Sequence, residues 1–142
     1  MSTTVQDLRS NKALAVAWLE QVSRHDLDAM IETTTEDWRM HGGPPGLASG
    51  PAGVRSLFDH IGPVRQQWTV DDVIAEGDRV VVRATNRCEQ ESFFGLPAAG
   101  IVQVFTATFV FRIADGRVAE IWRNADDFGR YLQLGGEITP GR

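Results

Sequence analysis

Three side chains in this sequence are of types that could do acid/base or anion-handling chemistry: His41, Arg123 and Asp126. An imidazole titrates near neutrality, so His41, between Asp37-Trp-Arg-Met-His41 and a Gly/Pro stretch, could move a proton as general acid or base. The guanidinium of Arg123 stays charged and offers forked donors, which suits it to clamp a carboxylate or stabilise a developing oxyanion. Asp126 could act as a base if an apolar wall raised its pKa. Each also has a plain structural use. His41 could bond to loop backbone, Arg123 could pair with Asp126 or Asp127, and Asp126-Asp127 could cap the helix that they introduce. His25 and His60 stand at helix ends, where solvated or capping roles suffice. The three histidines fall on separate elements with no Asp or Glu at ligand spacing, so no metal site is expected.

A second set of residues is suited to holding an apolar ligand. Trp18, Trp38, Phe94, Phe105 and Phe109 are the candidates to line a hydrophobic cavity, although aromatic residues at such spacing also simply build a core. Asn86 joins them because it interrupts an otherwise apolar strand face. The stretch Gly42-Gly-Pro-Pro-Gly-Leu-Ala-Ser-Gly50 has no phosphate-loop pattern and no following Lys-Ser/Thr, so it reads as a mobile rim with no nucleotide site.

The elements that must position these residues can be read from periodicity. Leu14, Trp18 and Val22 recur at helical spacing over Asn11 to His25, and Asp26 is placed to cap a second, shorter helix through Ile31. Asp37 to His41 reads as a short strand, and Pro51 opens a third helix running to about His60. Beyond Gly62-Pro63 four segments are rich in β-branched and aromatic residues: Gln67 to Glu76, Arg79 to about Gln90, Ile101 to Ile113 and Val118 to Ala125. They are separated by Gly77-Asp78, Gly95-Leu-Pro-Ala-Ala-Gly100 and Asp115-Gly116. Val80, Val82, Ala84, Asn86 and Cys88 share one face of the second long strand, and Phe105, Ala107, Phe109, Phe111 and Ile113 one face of the third. On the last strand, Ile121 with Arg123 and Trp122 with Asn124 offer competing faces. Helices followed by a strand meander argue for an α+β domain with helices on one face of a curved antiparallel sheet.

Composition narrows the classes. The 142 residues are 42% hydrophobic, enough for one domain spanning 1–142, with 1–10 and 136–142 as expected tails. The single cysteine, Cys88, excludes an internal disulfide and is read as a small buried hydrophobe. The net charge of −5 and scattered basic residues argue against a nucleic-acid partner. With neither a signal-like h-region nor a membrane-length apolar run, a soluble cytoplasmic protein is expected.

Four local patterns carry a family resemblance: His25-Asp-Leu-Asp before the second helix, Asp37-Trp-Arg-Met-His41 before its Gly/Pro loop, Gly95-Leu-Pro-Ala-Ala-Gly100, and the closing Trp122, Asp126 and Gln133-Leu-Gly135. In this order the chain, from Lys12 to Gly135, resembles the SnoaL-like polyketide cyclases of the nuclear transport factor 2-like superfamily. The resemblance implies a cone-shaped barrel, a curved antiparallel sheet wrapped around N-terminal helices. It also shows departures. The pocket aspartate of the cyclases falls on Arg123, the pocket histidine of the preceding strand on Phe109, and a further histidine near Glu89 or Gln90. In the related ketosteroid isomerases the position of Phe109 holds an acidic hydrogen-bond donor and a helix-one tyrosine falls on Trp18. His41 and Asp126 are the family positions that survive.

The resemblance implies a cofactor-independent cyclase or isomerase that closes or rearranges a ring in a hydrophobic polyketide-type intermediate of secondary metabolism, such as antibiotic biosynthesis. His41, Arg123 and Asp126 would supply its polar help. Loss of the carboxylate/histidine pair points away from aldol cyclisation and toward steps that shape and a few donors promote. A non-catalytic binding module of the same fold is the alternative, and an epoxide hydrolase or dehydratase a third. A homodimer through the outer sheet face is also expected, with Trp68, Val102, Val104 and Val110 pointing away from the helices.

Overall fold

The structure, a computed structural model, describes residues 4–141. Helix α1 spans Val5–Arg24, with Thr4 and Asp7 forming a reciprocal capping box at its start. The tail expected over 1–10 therefore lies partly outside the described residues, and its portion from Val5 onward is helical. His25, in left-handed backbone, ends α1, and Asp26 accepts from Ala29 N to cap α2, Leu27–Glu32. Strand β1 is Thr34–His41 and helix α3 is Gly50–Ile61 with Pro51 in its first turn. The long strands are β2 (Arg65–Glu76), β3 (Arg79–Glu89), β6 (Gln103–Ala114) and β7 (Arg117–Ala125). A two-stranded hairpin, β4 (Ser92–Phe93) with β5 (Leu96–Pro97), interrupts the meander, and α4 (Asp127–Gln133) follows β7.

The main sheet has the order β1-β7-β6-β3-β2. Its neighbours are antiparallel except β1, which crosses over to pair with β7 in parallel. The architecture is thus the expected α+β one, with a mixed sheet that curls without closing, since β1 and β2 remain unpaired edges. Register decides which side chains face the helices. Asn86 pairs with Trp68 on one side and Phe105 on the other, and paired residues point the same way. Trp68 consequently faces inward, 92% buried, with its ring edge-on to Phe105 and Phe109. The expectation that Trp68 belongs to the outer face is corrected by this pairing. An extra residue between Val70 and Asp72 reverses the phase of β2, so Val73 and Ala75 again pack inward while Asp71 and Asp72 bond Thr85 and Arg83 outside.

Trp18 and Leu19 of α1, Val54 and Leu57 of α3, and the apolar faces of β3 and β6 form the core. Trp38 is wholly buried beneath α3, where Gly53 leaves it room: a Cβ there would sit 3.1 Å from the Trp38 ring. On β7, Ile121 pairs with Phe111 and Met40, and Trp122 with Val110 and His41, which settles the competing faces. Ile121 and Arg123 point in; Glu120, Trp122 and Asn124 point out.

Candidate active site

Between the helices and one end of the inner sheet face lies a cavity of about 740 Å³. Trp18, Leu19, Val22, Leu57, Trp68, Phe105 and Phe109 supply an apolar wall, and the Gly42–Pro45 stretch, the end of α3 and the β4–β5 hairpin form the rim. Phe94 stands at that rim, 76% exposed and at positive φ, beside Phe93. Among the cavity candidates, Trp18, Asn86, Phe94, Phe105 and Phe109 line it, whereas Trp38 is core.

The charged end of the cavity is built by β7 and α4. Arg123 points inward and donates from Nη1 to Asp127 Oδ2 at 2.9 Å and from Nη2 to Asp127 Oδ1 at 3.0 Å, a forked pair. Its Nη1 also reaches the Gly42 carbonyl at 3.2 Å, tying the rim to the charge centre. Gly42 can lie there because a Cβ would run into the backbone carbonyl of Arg123. Arg130, one turn further along α4, places Nη1 3.5 Å from Asp127 Oδ1. Burial pushes the Asp127 carboxyl up, but the bonds and charge of Arg123, with Arg130 behind them, outweigh it and hold Asp127 below the ordinary carboxylate range. A carboxylate so held stays ionised and is a weak base. Burial raises the neighbouring Cys88 thiol, with Arg130 opposing.

Polar groups elsewhere on the wall are few. Asn86 Nδ2 donates to Gln66 Oε1 at 3.0 Å, while Asn86 Oδ1 and Trp18 Nε1 are buried with no hydrogen-bond partner among the described residues. Gln90 reaches the buried Gln103 at 3.3 Å. Glu91 and His60 line the rim in exposed positions. Among the described residues no three of His, Cys, Asp and Glu are grouped to hold a metal ion.

Two of the three candidate catalytic residues are placed elsewhere. His41 pairs with Trp122 in register and stacks on its ring, on the outer face, where Nε2 lies 2.6 Å from Glu120. It does not face the open end of the sheet. Met40, one residue earlier, takes the inward position. Asp126 caps α4 by accepting from Gly129 N at 2.8 Å and does not line the cavity. The carboxylate inside is Asp127, which the sequence offers only as a structural partner of Arg123 or as a cap, and Arg130 beside it is not singled out there at all. A signal existed: Arg123, Asp127 and Arg130 are spaced so that a helix beginning at Asp127 puts the latter two on one face.

The profile of the SnoaL-like domain matches residues 15–121. The chain belongs to this family. Several solved structures share the fold of this SnoaL-like protein. TsrD from Streptomyces laurentii aligns with a TM-score of 0.79 and 26% identity over 91% of this chain and 97% of its own. IdmH of Streptomyces antibioticus, described as a candidate polyketide cyclase, aligns at 0.74 and 24% over 88% and 98%. An LEH-like epoxide hydrolase of M. tuberculosis aligns at 0.72 and 18% over 90% and 91%. Comparison with curated proteins gives no match. Within the described residues of this SnoaL-like chain, no helix is long and apolar enough to cross a membrane.

Proposed function

We propose that the protein is a cyclase or isomerase acting on a hydrophobic polyketide-type intermediate, with Arg123 stabilising the negative charge that develops on a carbonyl oxygen. The observation that carries this reading is the meeting of one large, mainly apolar cavity with a buried charged end built by Arg123, Asp127 and Arg130. Magnitudes assign the roles. Holding reactive groups in an attack conformer can supply about 7–11 kcal/mol, against about 2.7–4 kcal/mol for one oxyanion donor. Shape is therefore the larger contribution and Arg123 the smaller. Loss of the family's carboxylate/histidine pair argues against base-driven aldol closure, but a 1,3-dicarbonyl chain enolises without a strong base. Its enol carbon can add to a neighbouring carbonyl, the enol proton ending on the new hydroxyl, when restraint and oxyanion stabilisation are supplied. That suits a cavity whose carboxylate, Asp127, is held ionised. Epoxide hydrolysis would need that carboxylate as a base for water, and its forked pair with Arg123 holds it below the ordinary carboxylate range, a poor base.

Linear poly-β-ketones of graded length, incubated with the purified protein and followed by mass spectrometry, test this. A ring-closed product formed faster than in buffer is expected. Products and rates identical to buffer would overturn the enzymatic reading, and retained binding would leave the non-catalytic module in its place.

The outer sheet face carries Val104, 46% exposed and near Val102, with Val110 six residues further along β6. We infer that a second copy covers it, and light scattering at tens of micromolar, roughly the range where micromolar dimers persist, should give twice the monomer mass; a monomer contradicts the inference.

A further inference from the structure

We propose that Arg130 is the recognition point for one negative charge on the ligand, so that the cavity takes an apolar body ending in a carboxylate or an equivalent monoanion. This rests on the cavity being the ligand site, as argued above, and adds the charge of the ligand and the residue that reads it.

Charge is unbalanced inside the cavity. Among the ionisable side chains that line the cavity away from its exposed rim, Arg123 and Arg130 are cations and Asp127 is the carboxylate between them. Asp127 is committed to Arg123 through both oxygens, at 2.9 and 3.0 Å, and approaches Arg130 only at 3.5 Å. The Cys88 thiol, which burial keeps protonated, offers no compensating charge. One positive charge is left over inside.

Hydrogen-bond donors are also left unmet there. Arg130 is 92% buried, yet among the described residues its donors meet only the Cys88 sulfur, from Nη2 at 3.6 Å, and Asp127 Oδ1, from Nη1 at a long 3.5 Å, and its Nε has no acceptor. A guanidinium carries five N–H donors, and a buried one is normally ringed by oxygen acceptors because its desolvation is otherwise uncompensated. Arg123, seven residues earlier, meets three oxygen contacts with its donors. Were Arg130 there only to neutralise Asp127, it would duplicate a completed pair.

Arg130 is, moreover, held in position. Its guanidinium carbon lies 3.9 Å from the centre of the Phe93 ring and 4.4 Å from that of Phe105, both cavity residues. The rings fix the cation and lower the local dielectric, which strengthens its pull on an anion entering from the apolar side. An amphiphile with its body along Trp68 and Phe109 and its acid at Arg130 would complete the missing charge.

The test uses a probe pair: 4-cyclohexylbutanoate and its primary amide, which share a body and differ in charge. Calorimetric titration of the wild-type protein should give the carboxylate about tenfold or greater preference over the amide, the size expected of a charged hydrogen bond. The carboxylate should also raise the thermal midpoint more than the amide, a readout that needs no variant. In Arg130→Gln the preference should vanish while amide binding persists. Equal affinities in wild type, or a preference unchanged in Arg130→Gln, would overturn the proposal and leave the cavity reading standing. Binding of neither probe would defeat the cavity reading itself, and the proposal with it.

Discussion

Two carboxylates of this protein are held by arginines on opposite sides of the same sheet, and the difference between them locates the site. Glu120, on the outer face, accepts from His41 at 2.6 Å and from Arg112 at 3.1 Å, with Arg39 at 3.7 Å. Trp122 beside it is stacked between His41 and Arg79. Among the described residues each of these charged groups has a partner, and none of them lines the cavity. Asp127 is also pinned, but on the wall of an apolar cavity where a second arginine keeps free donors. A charged cluster becomes a candidate site through the space beside it and the bonds it leaves unmade; pairing alone only ties strands together.

The largest effect that can break this comparison is to place a third carboxylate on the inner face. Phe111 is fully buried and paired with Val80 and Ile121, with no cation opposite, so Phe111→Asp should lose more than the roughly 3–5 kcal/mol of a Phe truncation and fail to fold. Phe109 pairs with Arg123, so Phe109→Asp should be tolerated better, its carboxylate drawing Arg123 away from Asp127. Denaturant midpoints that rank these two variants the other way would mean that the inner face is not divided as described.

A smaller effect is expected at acid pH. The hydrogen bond from His41 is the main cause holding Glu120 below the ordinary carboxylate range, while in Asp127 burial opposes Arg123. Folded-state values below the unfolded ones mean that both carboxylates contribute stability fully above about pH 4, the unfolded range, and lose it as pH falls through the lower folded values. Glu120→Gln and Asp127→Asn should therefore each flatten the acid limb of the stability curve. Urea midpoints across a pH series measure this, and an acid limb unaltered in both variants would remove the electrostatic account of either centre.

The same contrast explains how much was legible in the sequence. Period-two alternation on β3 and β6 placed Asn86, Phe105 and Phe109 inward, where the structure has them, because long strands with one apolar face leave little freedom of register. His41 was misplaced although Trp38 and Met40 already alternate as the apolar pair of β1, which puts His41 on the other face. Trp68 was misplaced because the bulge after Val70 breaks the period along β2, and only its pairing with Asn86 fixes the face. Asp126 and Asp127 are adjacent acids at a helix start; which one caps and which one enters the cavity depends on the turn between β7 and α4, and composition does not encode that. Arg130 is invisible to pattern reading because it looks like any basic residue late in a short helix, and its burial comes from Phe93 on a hairpin far along the chain.

The proposed chemistry belongs to the inner centre and not to the outer one. Its most direct test is the single-turnover rate of ring closure for Arg123→Ala and His41→Ala, measured side by side on whichever poly-β-ketone the wild type converts. Arg123→Ala should lose about 2.7–4 kcal/mol of transition-state stabilisation, a hundredfold to a thousandfold in rate, and His41→Ala should stay within a few-fold of wild type. A His41→Ala rate down by roughly a hundredfold or more, the size of a lost general acid or base, beside an Arg123→Ala rate close to wild type would contradict it.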